Sequence, residues 1–204
     1  MGLLKARAKI FIFLVILFEH MKVSLTAPKG LSQRQAKNWE RDMSMIVRPI
    51  VIITTVSKEG VPNAALKTNF MVVSSLKKAA FACHPEHDTY RNIIETEEFV
   101  VNVPSEEIIE QVMVMAVDFP HNVNEIEKAG LTATPSEKVK PPRIEECRLH
   151  LECKLKWCKD NIFVGEVVAA SADEDLIQGS VEERQMKLQQ IFLVGQGCTV
   201  ELER

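Results

Sequence analysis

Apolar and β-branched residues along this chain gather into short runs separated by polar, glycine-bearing or proline-bearing connections, and the period within each run predicts its element. Residues 50–56 (IVIITTV) are β-branched almost throughout and predict a strand; 57–60 (SKEG) is a turn, and 63–73 resumes as a second strand, making a hairpin. Residues 79–83 and 99–103 are further short strands. The clearest alternation is HLECKLKWC, where Leu149, Leu151, Cys153, Leu155 and Trp157 face one way and His150, Glu152, Lys154 and Lys156 the other, as in a half-buried antiparallel strand. Lys159 and Asp160 turn it into 162–170, the second arm of another hairpin.

Helical spacing appears in the connections. Ser32 heads a short helix over 32–42 with Ala36 and Trp39 on one face. Ser105 and two glutamates open a helix to Met115, with Ile108, Ile109, Val112 and Met115 on the side turned to the sheet. Residues 125–129 form a short helix closed by Gly130 at C′, and Ser180 with Glu183 is a capping box that starts a helix to about Gln190, before a last strand at 191–194. Many short antiparallel strands with helices between them predict a mainly β fold, a closed or nearly closed β-barrel with peripheral helices.

Length and composition leave one domain. The chain has 204 residues, enough to bury a single core, and a net charge of -3 spread without a basic stripe, so nucleic acid is not an expected partner. The five cysteines, odd in number and without a C-x-x-C, suit a reducing, cytoplasmic setting. The apolar run at 10–18 follows Lys5, Arg7 and Lys9 like a secretory signal, yet it is far shorter than the roughly 20 residues of a spanning helix, and no small-x-small cleavage site follows. Met21 reads well as a translation start. Residues 1–20 are therefore expected to be an upstream extension or signal-like segment, residues 21–204 the domain, and stable membrane association is not expected.

Candidate chemistry concentrates in CHPEHDTYRNI, residues 83–93. His84, His87 and Asp88 have the types of a metal set, but the spacing lacks a supporting pair elsewhere, and two solvated histidines in a turn explain them as well. In the second half of the loop Asp88 is a good N-cap, with Thr89 and Arg91 in the first turn of a helix to about Thr96. Helix N–H groups, a hydroxyl and a forked guanidinium make the parts of an anion clamp. A capped surface helix with an exposed arginine is the plainer alternative. A second candidate is the strand around Ala64 and Ala65, small enough to let a flat ring approach the backbone, with Thr68 and Asn69 able to donate to carbonyl oxygens. An edge strand with a polar face reads equally well there.

The blocks RPIVIITTVSKEGVPNAALKTNF, VVSS, EHDTYRNI, EFVVNVP, KAGLTATPSEKVKPPRIEECRLHLEC and FVGEVV, in this order over roughly residues 46–175, resemble the flavin reductase and flavoredoxin group of FMN-binding split barrels. The resemblance implies a six-stranded Greek-key split barrel, a homodimer with FMN at or near the subunit interface, and NAD(P)H as co-substrate. It places Asn63, Ala65 and Lys67 beside the flavin ring, Thr68 and Asn69 at its polar edge or ribityl chain, and Ser74 on the next turn. Cys83 and Asp88 join the set. Thr89 and Arg91 match the family's phosphate-binding Thr-x-Arg-Asn, with Asn92 in support, while Asn102 orders the adjacent strand or reaches the flavin. Two departures stand out: Cys158-Lys159-Asp160-Asn161 where many relatives carry Gly-Asp-His, and Gly195-Gln196-Gly197-Cys198 where a Gly-Gly-aromatic is usual. Three functions follow. One is a reductase passing electrons from NAD(P)H through FMN to a flavin, a ferric complex or a partner protein, needing no catalytic side-chain acid. Another is an FMN carrier fed by a redox partner protein, which the missing histidine favours. The third is a barrel that has lost its flavin.

Overall fold

The computed structural model describes residues 46–117, 119–121, 123–194 and 198–199, so the helix expected at 32–42 and the segment 1–20 lie outside the described residues. Strand β1 is Arg48–Pro49, β2 is Val51–Val56, β3 is Pro62–Lys67, β4 is Met71–Val73 and β5 is Lys78–Ala82. Helix α1 (Asp88–Thr96) leads into β6 (Glu98–Val103), and α2 (Ile109–Val114) and α3 (Glu125–Lys128) follow. After the short β7 (Ala133–Thr134) and β8 (Arg143–Ile144) come the long strands β9 (Leu149–Lys159) and β10 (Ile162–Ala172), then α4 (Val181–Leu188), β11 (Phe192–Val194) and β12 (Cys198–Thr199).

The main sheet has seven strands in the order β3-β2-β6-β9-β10-β5-β4, and every pairing in it is antiparallel. Its two edges, β3 and β4, are consecutive in sequence. Seven strands laid flat would hold those edges roughly 29 Å apart at about 4.8 Å per step. The chain from Lys67 to Met71 reaches at most about 14 Å. The sheet must therefore curl until its edges approach, which is the nearly closed barrel that the strand pattern predicts and the split barrel that the resemblance implies. Residues 63–73 do not form one strand as expected: the chain leaves β2 after Lys67, crosses the gap, and adds β4 to β5 instead. β4 is the strand beyond the six expected.

Two apolar clusters hold this shape. Inside the curl lie Val51, Ile53, Phe81, Phe99, Cys153 and Phe163, with Phe81 stacked on Phe163 and edge-on to Phe99. Gly165 makes the fit possible, since a Cβ there would stand 2.5 Å from the buried Phe99 ring. On the other side of β2, Ile50 and Ile52 pack with Val112 of α2 and Met115 just after it, with Ile126 of α3 and with Ile144 of β8. β2 is thus buried on both faces, and a continuous β-branched run is the sequence that such a strand requires.

The expected alternation along β9 holds from Leu149 to Leu155 and then fails. The register steps from Val164↔Trp157 to Gly165↔Leu155, so Lys156 is an extra residue on β9, and a bulge reverses the facing of everything beyond it. Cys158 packs against the interior cluster and Trp157 is 49% exposed, the reverse of the expectation for Trp157. Glu152, expected outside in solvent, is buried because the 135–142 segment crosses over it and donates the Glu137 and Lys138 N–H groups to its carboxylate at 2.9 and 2.7 Å. The turn after β9 is Asp160-Asn161, both at positive φ, a conformation that Asp and Asn tolerate. Among the described residues no helix is long and apolar enough to cross a membrane.

Candidate functional site

Along β3 runs a cavity of about 400 Å³, walled by Asn63 to Lys67 on one side and by residues 86–89 at the start of α1 on the other. The connection after α2 contributes Phe119 and His121, and α3 contributes Glu125. Leu66 and Lys67 also line a second cavity of about 430 Å³, which continues to Thr68, Asn69, Cys83 and His84. The two cavities therefore meet along β3, and together they collect most of the residues expected at a cofactor.

Asn63 and Thr89 lie at the inner end. Both are almost fully buried, and Asn63 Nδ2 donates to Thr89 Oγ1 at 3.4 Å. Among the described residues, Asn63 Oδ1 meets no donor and the Thr89 hydroxyl proton no acceptor. Asn92, expected beside the cofactor, instead turns away from the cavity and donates to Thr55 Oγ1 at 3.0 Å. It anchors α1 to β2.

Asp88 is not the N-cap. His87 holds that place, with extended backbone and no capping hydrogen bond from its side chain, and Asp88 is the first helical residue. Its carboxylate accepts instead from the Arg91 guanidinium and from His121 Nδ1, the latter at 2.8 Å. Burial pushes the Asp88 carboxyl up, but these two donors outweigh it and hold it below the usual aspartate range. Arg91 is thereby held at the first turn of α1, paired with Asp88 and touching His121, rather than in the cavity wall.

Ala65 is half-buried and, with Ala64, leaves the middle of the first cavity's wall free of bulk. In the second cavity Asn69 Nδ2 donates to the Ala82 carbonyl at 3.1 Å, pinning the crossing between the sheet edges. Cys83 is buried there, and burial raises its thiol against the opposing charge of Lys67. Ser74 opens a short 3₁₀ turn after β4, is exposed, and lines neither cavity. Asn102 faces the other way: its amide donates to the Ile52 carbonyl and Thr54 Oγ1, and its oxygen accepts from the Ile144 N–H at 2.9 Å, so it orders strands and uses its whole side chain in doing so. His84 and His87 have ring centroids 6.1 Å apart, and among the described residues no group of three or more His, Cys, Asp or Glu stands together as a metal set requires.

Sequence reading missed Glu125 and His121. Glu125 is 9% exposed, and its Oε2 accepts the Ala64 N–H at 3.0 Å. Burial raises its pKa, and the Asp88 charge adds to the effect. The one signal for it was its place at the start of a short helix, where a glutamate is commonplace.

The family model for the flavin reductase like domain matches residues 43–184. The chain belongs to the flavin reductase-like family. This flavin reductase-like chain is 33% identical over 161 residues to an uncharacterised protein of Aquifex aeolicus, covering 74% of this chain and 82% of that one. Among solved structures it is similar to nitrilotriacetate monooxygenase component B from Bacillus cereus, with 25% identity and a TM-score of 0.79 over 91% of this chain and 98% of that one. It is also similar to the 2-nitrobenzoate 2-nitroreductase NbaA of Pseudomonas fluorescens, with 30% identity and a TM-score of 0.75 over 88% and 92% of the two chains.

Proposed function

We propose that the protein is an FMN-binding oxidoreductase that takes electrons from NAD(P)H and passes them through the flavin to an acceptor, whether free flavin, a ferric complex or a partner protein. The observation that carries the reading is the cavity along β3, small-walled at Ala64 and Ala65 and ending at a pair of buried polar side chains with spare hydrogen-bonding capacity, Asn63 and Thr89. These residues fit a flat, phosphate-bearing cofactor. The helix start at Thr89 is uncapped by His87, so its N–H groups favour an anion, and Arg91 stands in the same first turn, paired with Asp88. Thr89, Arg91 and the first turn of α1 would hold the phosphate, and Ala65 to Asn69 would border the ring system. When bound, the flavin supplies the redox chemistry; the chain supplies orientation and a site partly closed to water.

One specific feature favours the carrier reading in which a redox partner protein, not NAD(P)H, is the donor. Asn161 stands in the second cavity where many relatives have a histidine, although His84 lines that cavity from the opposite side. The two readings part in one experiment. Purified protein is loaded with FMN, and NADH or NADPH is added without oxygen. Prompt loss of yellow absorbance is the expected result; colour that persists until a protein donor is added supports the carrier. A colourless protein that takes up no FMN overturns both.

The homodimer belongs to this reading, but not through β3. The outward donors of that strand are taken: Pro62 has none, Ala64 gives its N–H to Glu125, and Leu66 gives its N–H to the Met115 carbonyl. The outer row Trp157, Val164, Ala80 and Met71, aligned across four strands with Trp157 and Met71 about half exposed, is the better surface for a second copy. Sedimentation of Trp157→Glu beside the parent checks it: the parent sediments as a dimer and the variant as a monomer.

A further inference from the structure

Glu125 is a buried carboxyl in the wall of a cavity, and only half of it is employed. Oε2 accepts the Ala64 N–H; apart from Glu125's own backbone N–H, the second oxygen meets no donor among the described residues. A carboxylate oxygen has lone pairs to spare beyond such a local contact, and in a cavity wall they are open to water or to a ligand that donates to them. Its position says which part of a ligand. It is tied to Ala64, one residue along β3 from the Asn63 and Thr89 pair and one before Ala65, where the wall is free of bulk. With the phosphate at Thr89 and the ring along Ala65 to Asn69, Glu125 stands beside the stretch that joins them, a chain of hydroxyl-bearing carbons.

We propose that Glu125 is a ligand-binding residue, its open oxygen accepting a hydrogen bond from a hydroxyl of the ligand's polyol chain. The inference rests on the flavin reading above. It gives the cavity a way to select flavins that carry the polyol, and it makes that selection depend on the carboxyl's proton. The other titratable groups facing the same cavity are Lys67 on β3, Glu86, His87 and Asp88 at the start of α1, and His121 on the connection after α2. A variant at Glu125 separates its proton from theirs.

The test compares riboflavin with lumiflavin, which has the ring but neither polyol nor phosphate, in equilibrium titrations of the parent and Glu125→Gln. Glutamine keeps an acceptor for the Ala64 N–H. The variant should bind riboflavin about tenfold more weakly and lumiflavin within about twofold of the parent, the loss of one hydrogen bond to a charged acceptor. In the parent the advantage of riboflavin over lumiflavin should shrink as the pH is lowered and Glu125 takes up its proton; in the variant it should not change with pH. Equal weakening of both ligands, or no weakening of either, overturns the inference and leaves flavin binding intact. Should the variant fail to fold, a riboflavin advantage in the parent that is flat with pH overturns it as well. A parent that binds no flavin at all, FMN included, overturns the functional reading and this inference together.

Discussion

Two groups of buried polar side chains meet this sheet, one over β6 and β9 and one along its β3 edge, and they differ in how completely they are used. On the outer face of β6 and β9, Asn102 engages β2 and β8 at both ends of its amide. Glu152 takes two backbone N–H groups, and His150 lies between the Ile144 carbonyl and Ser171 Oγ. Along β3, Asn63, Thr89 and Glu125 each keep a donor or acceptor unspent among the described residues. Buried polar groups are normally satisfied from within. The closed group holds the 132–144 segment to the barrel, and the open one asks for a ligand. If that contrast is right, damage to the first should appear as lost stability and damage to the second as lost affinity.

The largest effect expected is in the closed group. Asn102→Leu strands the Ile144 N–H in a dry interior and leaves Thr54 Oγ1 with its bond to the Pro142 carbonyl alone, and should cost about 3 kcal/mol of stability. Denaturant titration measures it. At temperatures where the variant stays folded, its affinity for FMN should match the parent's; a comparable loss of affinity would break the contrast.

Arg91→Ala should do the opposite. It should weaken FMN by about 2–3 kcal/mol, the range for a charge-assisted bond whose partner is left unpaired, and leave riboflavin unchanged because riboflavin has no phosphate. Arg91→Lys should recover part of the loss, since an ammonium lacks the fork. Equal weakening of both ligands would make Arg91 a support for α1 through Asp88.

A smaller effect separates the two helix starts. Ser180 and Glu183 close α4 reciprocally, so Ser180→Ala should cost about 1 kcal/mol of stability with no change in any flavin's affinity. Thr89 at the start of α1 has no reciprocal cap and, among the described residues, accepts only the Asn63 amide at 3.4 Å, so Thr89→Val should weaken FMN while shifting the denaturation midpoint less than Ser180→Ala does. A midpoint shift as large as that of Ser180→Ala would place Thr89 with the closed group.

That difference also explains what could be read from the sequence. The capping box at Ser180 and the Gly130 helix stop are local, decided by residues a few positions apart, and each appears in the structure where the pattern predicts it; the hairpin turn expected at Lys159-Asp160 falls one residue later, at Asp160-Asn161. The barrel was legible as well, because strand periodicity points to a nearly closed one and the block order resembles that of split barrels. Asp88 was misread as a cap because its partner His121 lies 33 residues along the chain. Trp157 was misplaced because a bulge at Lys156 is settled by what β10 packs against, not by the alternation of β9. Glu125 was missed for the same kind of reason: its burial comes from β3 lying across it, and nothing within its own helix announces that. The wall of the cavity was legible in Thr89 and Asn63, and illegible where the tertiary fold alone brings a group in.

The smallest expected effect is on the pH dependence of stability, where the two groups should act with opposite sign. Burial lowers the His150 pKa below the ordinary 6.5, against the pull of the Ile144 carbonyl, so the folded imidazole resists a proton that the unfolded one accepts. Its contribution is present above pH 6.5 and is lost as the pH falls below that value. Burial raises Glu125 above the ordinary 4.5, so the folded carboxyl keeps a proton that the unfolded one releases, and its contribution is lost as the pH rises from that value. Within the interval from pH 4.5 to 6.5, Glu125 makes stability fall as the pH rises from the lower bound and His150 makes it fall as the pH drops from the upper one; the two slopes have opposite sign, and the parent's denaturation midpoint should vary less than that of either single variant. Over that interval His150→Gln should fall in stability as the pH rises, since the Glu125 slope is left uncompensated. Glu125→Gln should gain in stability as the pH rises, driven by His150 alone. Two variants whose slopes share one sign would show that burial acts alike on both groups, and that the open cavity is no different in kind from the closed one.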